Sequence, residues 1–211
     1  MYLGRIVAIG MTPQGKSAAM YRVSSRSFPN REAVLADNQI SILPRAGFES
    51  DLRKNPYISY NCIRIANEWA IATNGSQTDP IAEKILMGFP PRDAIGFGLL
   101  LMDYEKDSFD TPRIVAVVSN KRPIGYLGII RSDAILGREF KLVPGEIRYL
   151  STYEKNRPSD DQVSTNFAAP CVNCAAQYVI DGGIFADFSN PVTSAAALAS
   201  EDGFDLAVKV L

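Results

Sequence analysis

The chain has 211 residues, of which 46% are hydrophobic and 21% are charged, which is typical of one folded domain covering residues 1–211. Its net charge of −1 argues against a protein dedicated to nucleic acid, and no apolar run reaches the roughly 18 residues needed to cross a bilayer. Histidine is absent, which excludes Ser-His-Asp and Cys-His catalytic groups and histidine-based metal sites.

The first half of the chain shows the patterns of hairpins followed by two helices. Short apolar runs surround a turn at 12–15 and another at 67–68, as expected for antiparallel hairpins. The predicted strands are Leu3–Ile9, Ala18–Val23, Gln39–Leu43, Tyr57–Ala66 and Trp69–Thr73. Pro80 has a typical first helical position, and Pro90-Pro91 interrupts the apolar pattern. Helices are therefore predicted from Thr78 to Met87 and from Arg92 to Asp103.

The second half adds further strands and alanine-rich segments. The predicted strands are Arg113–Val118, Ile124–Ile130, Ile147–Thr152 and Asp205–Leu211, and the segments Ala168–Ile180 and Ala195–Ala199 are predicted to be helical. Strands and helices form separate groups instead of alternating, which favours an α+β fold with antiparallel sheets covered by helices. Periodicity alone leaves open whether the strands form one sheet or two. No glycine-rich phosphate loop follows a strand.

Basic side chains are concentrated at the start of the chain. The first 31 residues contain five of them and no acidic residue. Three arginines and three serines lie in Tyr21–Arg31, which contains a predicted loop over 24–31. Because guanidinium forks and hydroxyls bind phosphate oxygens, this segment predicts a phosphomonoester site. The alternative is a solvated basic loop paired with distant carboxylates.

Two other segments have polar side chains suited to a pocket. On the strand that contains Tyr57–Cys62, Ser59 and Asn61 share one face, which indicates either a pocket wall or a buried hydrogen-bonded pair. The segment 74–79 has amides and hydroxyls that either contact a base or cap a helix.

The segment Asp103–Asp107 closes a very apolar predicted helix. A carboxylate there is expected to be partly desolvated, and desolvation raises its pKa. Acid–base chemistry near neutral pH without histidine requires such a group, or Lys, Tyr, Cys or an α-amino group. The alternative is an ordinary charged helix end, although carboxylates are mildly unfavourable at that end of a helix.

The chain has three cysteines, too few for a disulfide framework. Cys171 and Cys174 have the spacing of a redox or zinc pair, but the sequence does not readily supply the other ligands of a zinc site. We interpret them as two small thiols near a helix start. The N-terminal residues lack the pattern of a signal peptide, so we expect a cytoplasmic protein.

The polar segments together resemble the archaeal-type IMP cyclohydrolase family, and the similarity covers nearly the full chain. The matching segments are Tyr21–Arg31 (YRVSSRSFPNR), Tyr57–Cys62 (YISYNC), Ala72–Asp79 (ATNGSQTD), Asp103–Asp107 (DYEKD) and Thr111–Arg113 (TPR). The resemblance implies the closure of 5-formamido-1-(5-phosphoribosyl)imidazole-4-carboxamide (FAICAR) to IMP with loss of water. This is the last step of de novo purine synthesis.

The resemblance also implies a fold. It is a four-layered αββα sandwich of the N-terminal-nucleophile-hydrolase type, with two antiparallel sheets between helical layers. The usual nucleophilic Ser, Thr or Cys is absent, since Tyr2 follows Met1. The hydrolase mechanism of that fold should therefore not be transferred to this chain.

The resemblance implies a mechanism without a metal or cofactor. Glu105 matches the catalytic glutamate of the family, which would act as base and then as acid, and Arg31 matches its catalytic arginine, which would stabilise a charged oxygen. Tyr60 is the third catalytic candidate. The predicted substrate-binding residues are Arg22, Ser24, Ser25, Arg26, Asn61, Asn74, Asp79 and Arg113. The first four are candidates for the 5′-phosphate, and Tyr60, Asn61 and Asn74 for base and ribose.

The expected partner is a small nucleotide (FAICAR, IMP or the analogue AICAR), without nucleic acid or membrane, and self-association into a homo-oligomer stays open. A second hypothesis is a relative that binds or hydrolyses a purine nucleotide without cyclising FAICAR. A third is a nucleotide-sensing module that keeps the pocket without the chemistry. The presence of both Arg31 and Glu105 counts against the third hypothesis.

Overall fold

Residues 1–211 are described by a computed structural model in which thirteen strands form two antiparallel sheets. The six-stranded sheet contains β1 (Ile6–Met11), β2 (Ser17–Ser24), β10 (Glu146–Ser151), β11 (Val163–Thr165), β12 (Pro191–Ser200) and β13 (Gly203–Val210). Its strand order is β11-β10-β1-β2-β12-β13. The seven-stranded sheet contains β3 (Arg31–Ala36), β4 (Gln39–Pro44), β5 (Tyr60–Ala66), β6 (Trp69–Thr73), β7 (Arg113–Ser119), β8 (Ile124–Arg131) and β9 (Ala134–Lys141). Its strands are paired in chain order.

Four α-helices connect the strands. They are α1 (Asp51–Lys54), α2 (Thr78–Leu86), α3 (Pro91–Met102) and α4 (Val172–Asp181). Short 3-10 turns lie at Pro56–Ile58 and Gly183–Asp187. No helix has both the length and the apolar character needed to span a membrane.

Three clusters of buried apolar side chains show how these elements pack. The largest has 25 buried residues and draws on both sheets, for example Val7 of β1 and Ile114 of β7. Side chains alternate along a strand, so the neighbouring Ala8 and Val115 face the other way. Ala8 belongs to a cluster with α4, and Val115 to a cluster with α2 and α3. Each sheet therefore packs against the other sheet on one face and against helices on the opposite face.

The α+β prediction with antiparallel sheets is confirmed, and there are two sheets. The hairpins β1–β2 and β5–β6 lie where they were predicted, as do α2, α3 and the last strand β13. Strands β3, β9 and β11 were not predicted. β9 is mostly exposed at the edge of its sheet, so it lacks the apolar run that indicates a buried strand.

The prediction of a helix at Ala195–Ala199 is wrong, because these residues lie in the centre of β12. That strand pairs with β2 on one side and β13 on the other, and it is buried on both faces. Small side chains suit this position because α4 packs closely over it, with the Ser194 hydroxyl donating to the Ala176 carbonyl at 2.7 Å. Tertiary packing thus overrides the helix propensity of alanine.

Candidate active site

A cavity of about 500 Å³ lies at the end of the molecule where β1, β3 and β7 begin and β2 and β10 end. Its wall includes Arg5 before β1, Ser25 after β2, Arg31 at the start of β3 and Tyr153 after β10, together with residues of the segments 55–58 and 107–109. The cations of the wall are Arg5, Arg26 and Arg31, and its aromatic rings are Tyr2, Phe28, Tyr57, Phe109 and Tyr153. This combination of planar rings and fixed positive charge suits a ligand with an aromatic base and an anionic group.

The loop over 25–30 forms one side of the cavity and connects the two sheets, since β2 and β3 belong to different ones. The Ser25 hydroxyl accepts a hydrogen bond from the Phe28 N–H at 3.0 Å, which closes a tight turn. The Arg26 guanidinium lies 4.1 Å from the centre of the Tyr2 ring. This contact holds the cation at the cavity wall.

Arg31 is the buried cation of this wall, with 2% of its surface exposed. Its Nε donates to the Phe28 carbonyl at 3.1 Å, whereas its buried Nη1 has no hydrogen-bond partner. Leaving a buried charged donor unpaired is costly, so such donors normally have a partner. The unpaired Nη1 indicates a position prepared for an acceptor that comes from a ligand.

Glu105 lies in the loop that follows α3. The loop is folded around Asp107, whose carboxylate accepts hydrogen bonds from the Thr111 N–H at 3.0 Å and from the Thr111 hydroxyl at 2.8 Å. The N–H of Glu105 donates to the Thr111 carbonyl at 2.9 Å. These contacts fix the backbone of Glu105, whose side chain is only 1% exposed.

Arg5 binds the Glu105 carboxylate from the opposite sheet. Its Nη2 lies 2.9 Å from Oε2 of Glu105. The other oxygen, Oε1, is buried without a hydrogen bond, and it lies 3.9 Å from Nη1 of Arg113. One carboxylate oxygen is thus held in place while the other is free to accept a proton.

Burial raises the pKa of Glu105, and the positive charges of Arg5 and Arg113 oppose this effect. For Arg5, burial is the largest single influence and lowers the pKa, but Glu105 together with the nearby tyrosines raises it by more, so the pKa of Arg5 is raised overall. Arg5 therefore stays charged, while the carboxyl group releases its proton at a higher pH than an exposed glutamic acid does.

Two tyrosines lie close to these cations. The hydroxyls of Tyr60 and Tyr21 are 2.6 Å apart, and both rings are buried in the cluster between the sheets. Burial raises the pKa of Tyr60, while the charges of Arg31 and Arg5 act in the opposite direction. The hydroxyl pair is therefore neutral at neutral pH and lies within the field of both guanidinium groups.

Arg22 does not reach the cavity, in contrast to its predicted contact with phosphate. Its side chain is completely buried on the face of β2 that packs against α4. It donates to the hydroxyl of Ser24 at 2.9 Å and to the carbonyls of Ile180 at 2.6 Å, Phe185 at 2.8 Å and Phe188 at 2.5 Å. Arg22 and Ser24 therefore anchor the segment that follows α4.

Asn61 and Asp79 also lie outside the cavity wall. Strand alternation puts Asn61 on the opposite face of β5 from Tyr60. Its Nδ2 donates to Asp79 at 2.9 Å, and its Oδ1 accepts from the Ser41 hydroxyl at 2.7 Å. Asp79 also forms an ion pair with Arg64 at 3.0 Å. Of the two alternatives given for Asn61, the structure therefore favours a hydrogen-bonded side chain, here paired with Asp79, over a residue of the pocket wall.

Asn74 and Arg113 were also predicted to bind the substrate, but they lie outside the cavity wall and support the loop that contains Glu105. The Asn74 side chain donates to the Pro112 carbonyl at 2.9 Å and accepts from the Ile114 N–H at 2.8 Å. Arg113 Nε donates to the Asp103 carbonyl at 2.7 Å. A Cβ on Gly75 would lie 2.2 Å from Nη1 of Arg113, so only glycine permits this packing.

The sequence is similar to that of known proteins over almost its full length. A family model described as "IMP cyclohydrolase-like protein" matches residues 2–203. This chain belongs to the IMP cyclohydrolase-like family.

Several archaeal proteins named IMP cyclohydrolase are similar to it. The protein from Methanosphaera stadtmanae is 47% identical over 96% of both chains. The protein from Methanocella arvoryzae is 48% identical over 99% of this chain and 98% of the relative. The protein from Methanocaldococcus jannaschii is 38% identical over 99% of both chains.

The cavity of this member of the IMP cyclohydrolase-like family includes residues that the sequence analysis did not select. Arg5 was counted only as a basic residue, although it is the single charged side chain in Leu3–Ile9. Tyr153 follows β10, and its ring packs against Gly4. A Cβ on Gly4 would lie only 2.8 Å from two carbon atoms of that ring. Gly4 also has a positive φ of 73°, which favours glycine.

Proposed function

We propose that this chain is an IMP cyclohydrolase, which closes the second ring of FAICAR to give IMP and water. The proposal is supported by the family membership and by relatives of that name that are 38–48% identical over nearly their whole length. The observation that carries it is the buried Glu105, held by Arg5 next to a cavity that also contains Arg31. A carboxyl group with raised pKa and a guanidinium with an unpaired donor are what this ring closure needs.

In the first step of the proposed mechanism, the carboxamide nitrogen of FAICAR attacks the formyl carbon. A C–N bond forms, and the proton of that nitrogen passes to Glu105. The formyl oxygen becomes negatively charged, and Arg31 stabilises it. The unpaired Nη1 of Arg31 and the free Oε1 of Glu105 support these two assignments.

In the second step, water is lost. Glu105 returns its proton to the oxygen, which becomes a hydroxyl group. The carboxylate then takes the proton of the former formamido nitrogen and delivers it to that hydroxyl as the C–O bond breaks. A C=N bond forms, one water leaves, and Glu105 is again a carboxylate. One group thus serves as base and acid in turn.

Arg5 in the cavity wall, and the two tyrosines that lie behind the wall as Glu105 does, have positioning roles in this proposal. Arg5 holds Oε2 of Glu105, so that Oε1 is the oxygen that exchanges protons. Tyr60 and its partner Tyr21 supply a neutral hydroxyl pair beside the reacting groups. The reaction is intramolecular, so holding the formamido and carboxamide groups in contact is a large part of the catalysis.

We place the 5′-phosphate of the substrate against the segment 25–27. Ser25, Arg26 and Ser27 all line the cavity, which supports this placement. A serine hydroxyl and a guanidinium both donate to phosphate oxygens. The aromatic rings of Tyr2 and Tyr57 are then available to pack against the base.

We also propose that the fold is the αββα sandwich of N-terminal-nucleophile hydrolases without the nucleophile. The packing of each sheet against the other sheet and against helices supports this assignment. The apolar cluster shared by the two sheets supports a single domain over residues 1–211. We place the enzyme in the cytoplasm, because its phosphorylated substrate does not cross membranes unaided.

The proposal is tested by incubating the purified chain with FAICAR and following IMP formation by absorbance. Glu105→Gln is the decisive variant, because glutamine keeps the shape of the side chain but cannot exchange a proton. We expect it to lose about 10²- to 10⁴-fold in turnover while its affinity for IMP, measured by calorimetry, is retained.

Two results would contradict the proposal. A wild-type chain that binds IMP and AICAR but does not convert FAICAR would be a nucleotide-binding relative. Substantial turnover by Glu105→Gln would remove this glutamate from the mechanism even if the chain cyclises FAICAR.

A further inference from the structure

A pair of cysteines lies at the start of α4, outside the wall of the cavity. Cys171 is the N-cap residue of this ten-residue helix, and its sulfur accepts a hydrogen bond from the Cys174 N–H at 3.3 Å. The two Sγ atoms are 2.6 Å apart. Cys171 is exposed and Cys174 is partly exposed. The two thiols are therefore in contact with each other and accessible to reagents in solvent.

The two thiols differ in their acidity. Hydrogen bonds from the thiol and the N–H of Cys174 lower the pKa of Cys171. The same contact raises the pKa of Cys174. The N-terminal end of a helix also favours negative charge. Cys171 is thus the better thiolate, and Cys174 keeps its proton.

A groove of about 460 Å³ lies beside Cys174, between α4 and the segment that precedes it. Its wall includes the amide groups of Asn173 and Gln177 and the ring of Tyr178. A small thiol compound that carries a peptide group finds hydrogen-bonding partners there. The groove gives an external disulfide room beside Cys174, and Cys171, which does not line the groove, is exposed next to it.

We propose that Cys171 and Cys174 form a redox-active dithiol that undergoes exchange with small disulfides. The Cys171 thiolate attacks one sulfur of the external disulfide, whose S–S bond breaks and releases one thiolate. That thiolate takes the proton of Cys174, and the Cys174 sulfur then attacks the sulfur of Cys171. The Cys171–Cys174 disulfide forms, and the second thiolate leaves. Two electrons pass from the chain to the external disulfide, which ends as one small thiol and one thiolate; the thiolate takes its proton from water.

Cys62 provides an internal comparison. It is completely buried between the two sheets, and burial raises its pKa. A buried neutral thiol is a poor nucleophile. We therefore expect Cys62 to stay reduced under conditions that oxidise the other two cysteines.

The test treats the reduced full-length chain with mixtures of reduced and oxidised glutathione. The reaction is quenched with acid, and the remaining thiols are labelled with a maleimide after denaturation. We expect mass spectrometry to show two labels lost together, with Cys62 still labelled, and peptide mapping to show a Cys171–Cys174 linkage. Without glutathione, iodoacetamide should modify Cys171 about tenfold faster than Cys174 in the native chain.

Single variants identify the role of each sulfur. Cys174→Ser is expected to stop at a stable glutathione adduct on Cys171, whereas Cys171→Ser should form no rapid adduct. Cys62→Ala should behave as the wild type does. A wild-type chain that keeps three free thiols in oxidised glutathione, or a Cys174→Ser variant without an adduct, would overturn the proposal.

Discussion

Arg22 and Arg31 come from the same basic segment and are both buried, yet their surroundings differ in one respect. Arg22 donates to one hydroxyl and four backbone carbonyls, three of them in fully buried contacts. Arg31 donates to a single carbonyl and has a buried Nη1 without a partner. Burial of a cation is therefore not a sign of function in this protein. The difference lies in whether the protein itself satisfies the donors.

The positions of the two residues in their strands explain this difference. Arg22 lies within β2 on the face that packs against α4, where helix-terminal carbonyls are available. Arg31 begins β3, at the strand end that faces the cavity. The carbonyls around Arg22 hold the segment that follows α4 in place, whereas the buried Nη1 of Arg31, a residue of the cavity wall, has no partner within the protein.

Replacing Arg22 should have the largest effect on stability. We expect Arg22→Met to lower the free energy of unfolding by about 2–4 kcal/mol, because three buried carbonyls lose a donor. Urea denaturation followed by circular dichroism measures this loss. Arg31→Met is the matched control and should cost less stability, since it removes one hydrogen bond. If both variants lose the same stability, the contrast between the two arginines is wrong.

Replacing Arg31 with lysine should affect turnover and not stability. Lysine keeps the positive charge but lacks the planar fork that donates two hydrogen bonds in fixed directions. We expect kcat for FAICAR to fall about 100-fold, with the same midpoint of thermal unfolding. A variant with the kcat of the wild type would exclude Arg31 from the stabilisation of the oxygen.

Arg26 sharpens the comparison because it is an exposed cation at the same cavity wall. We expect Arg26→Ala to weaken IMP binding about tenfold, which corresponds to one charge-assisted hydrogen bond near solvent. Inosine lacks the phosphate, so its affinity should hardly change. Calorimetric titration of both ligands measures the difference. Equal weakening would place Arg26 away from the phosphate.

The pH dependence of turnover tests the pair of Arg5 and Glu105. The carboxylate form of Glu105 takes the proton, so activity should fall as the pH decreases through its raised pKa. Arg5→Gln removes a positive charge that lowers this pKa. The acid limb of the pH–rate profile, where activity falls as the pH decreases, should therefore shift to higher pH by about one unit. Arg138→Gln, which removes an exposed partner of Asp160, is the control and should leave the limb in place. A shift to lower pH would contradict the assigned base.

Local patterns predicted much of the fold, because hairpins such as β5–β6 have apolar alternation and a clear turn. They failed where tertiary packing decides the structure. The alanines of β12 have helix propensity but lie between two strands and under a helix. β3 was missed because its residues after Ala33 are exposed and show no buried run.

The candidate site was predictable to a different extent. The family resemblance pointed to Arg31 and Glu105, and the structure places both next to residues of one cavity. The faces on which Arg22 and Asn61 lie depend on strand register and on the partner element, which single segments do not reveal. Arg5 was not selected because its partner Glu105 is distant in the chain and belongs to the other half of the sandwich.

The ion pair of Arg5 and Glu105 joins the two sheets, because Arg5 precedes β1 of one sheet and Glu105 precedes β7 of the other. The proton-exchanging oxygen is thus aligned by how two layers sit on each other, and a slip of one layer would misdirect it. Small shifts of this kind cost little packing energy compared with complete unfolding. On heating, we therefore expect the rate of ring closure to decline at a lower temperature than the secondary structure melts. Enzyme activity would then report a loss of packing between the two sheets earlier than circular dichroism does.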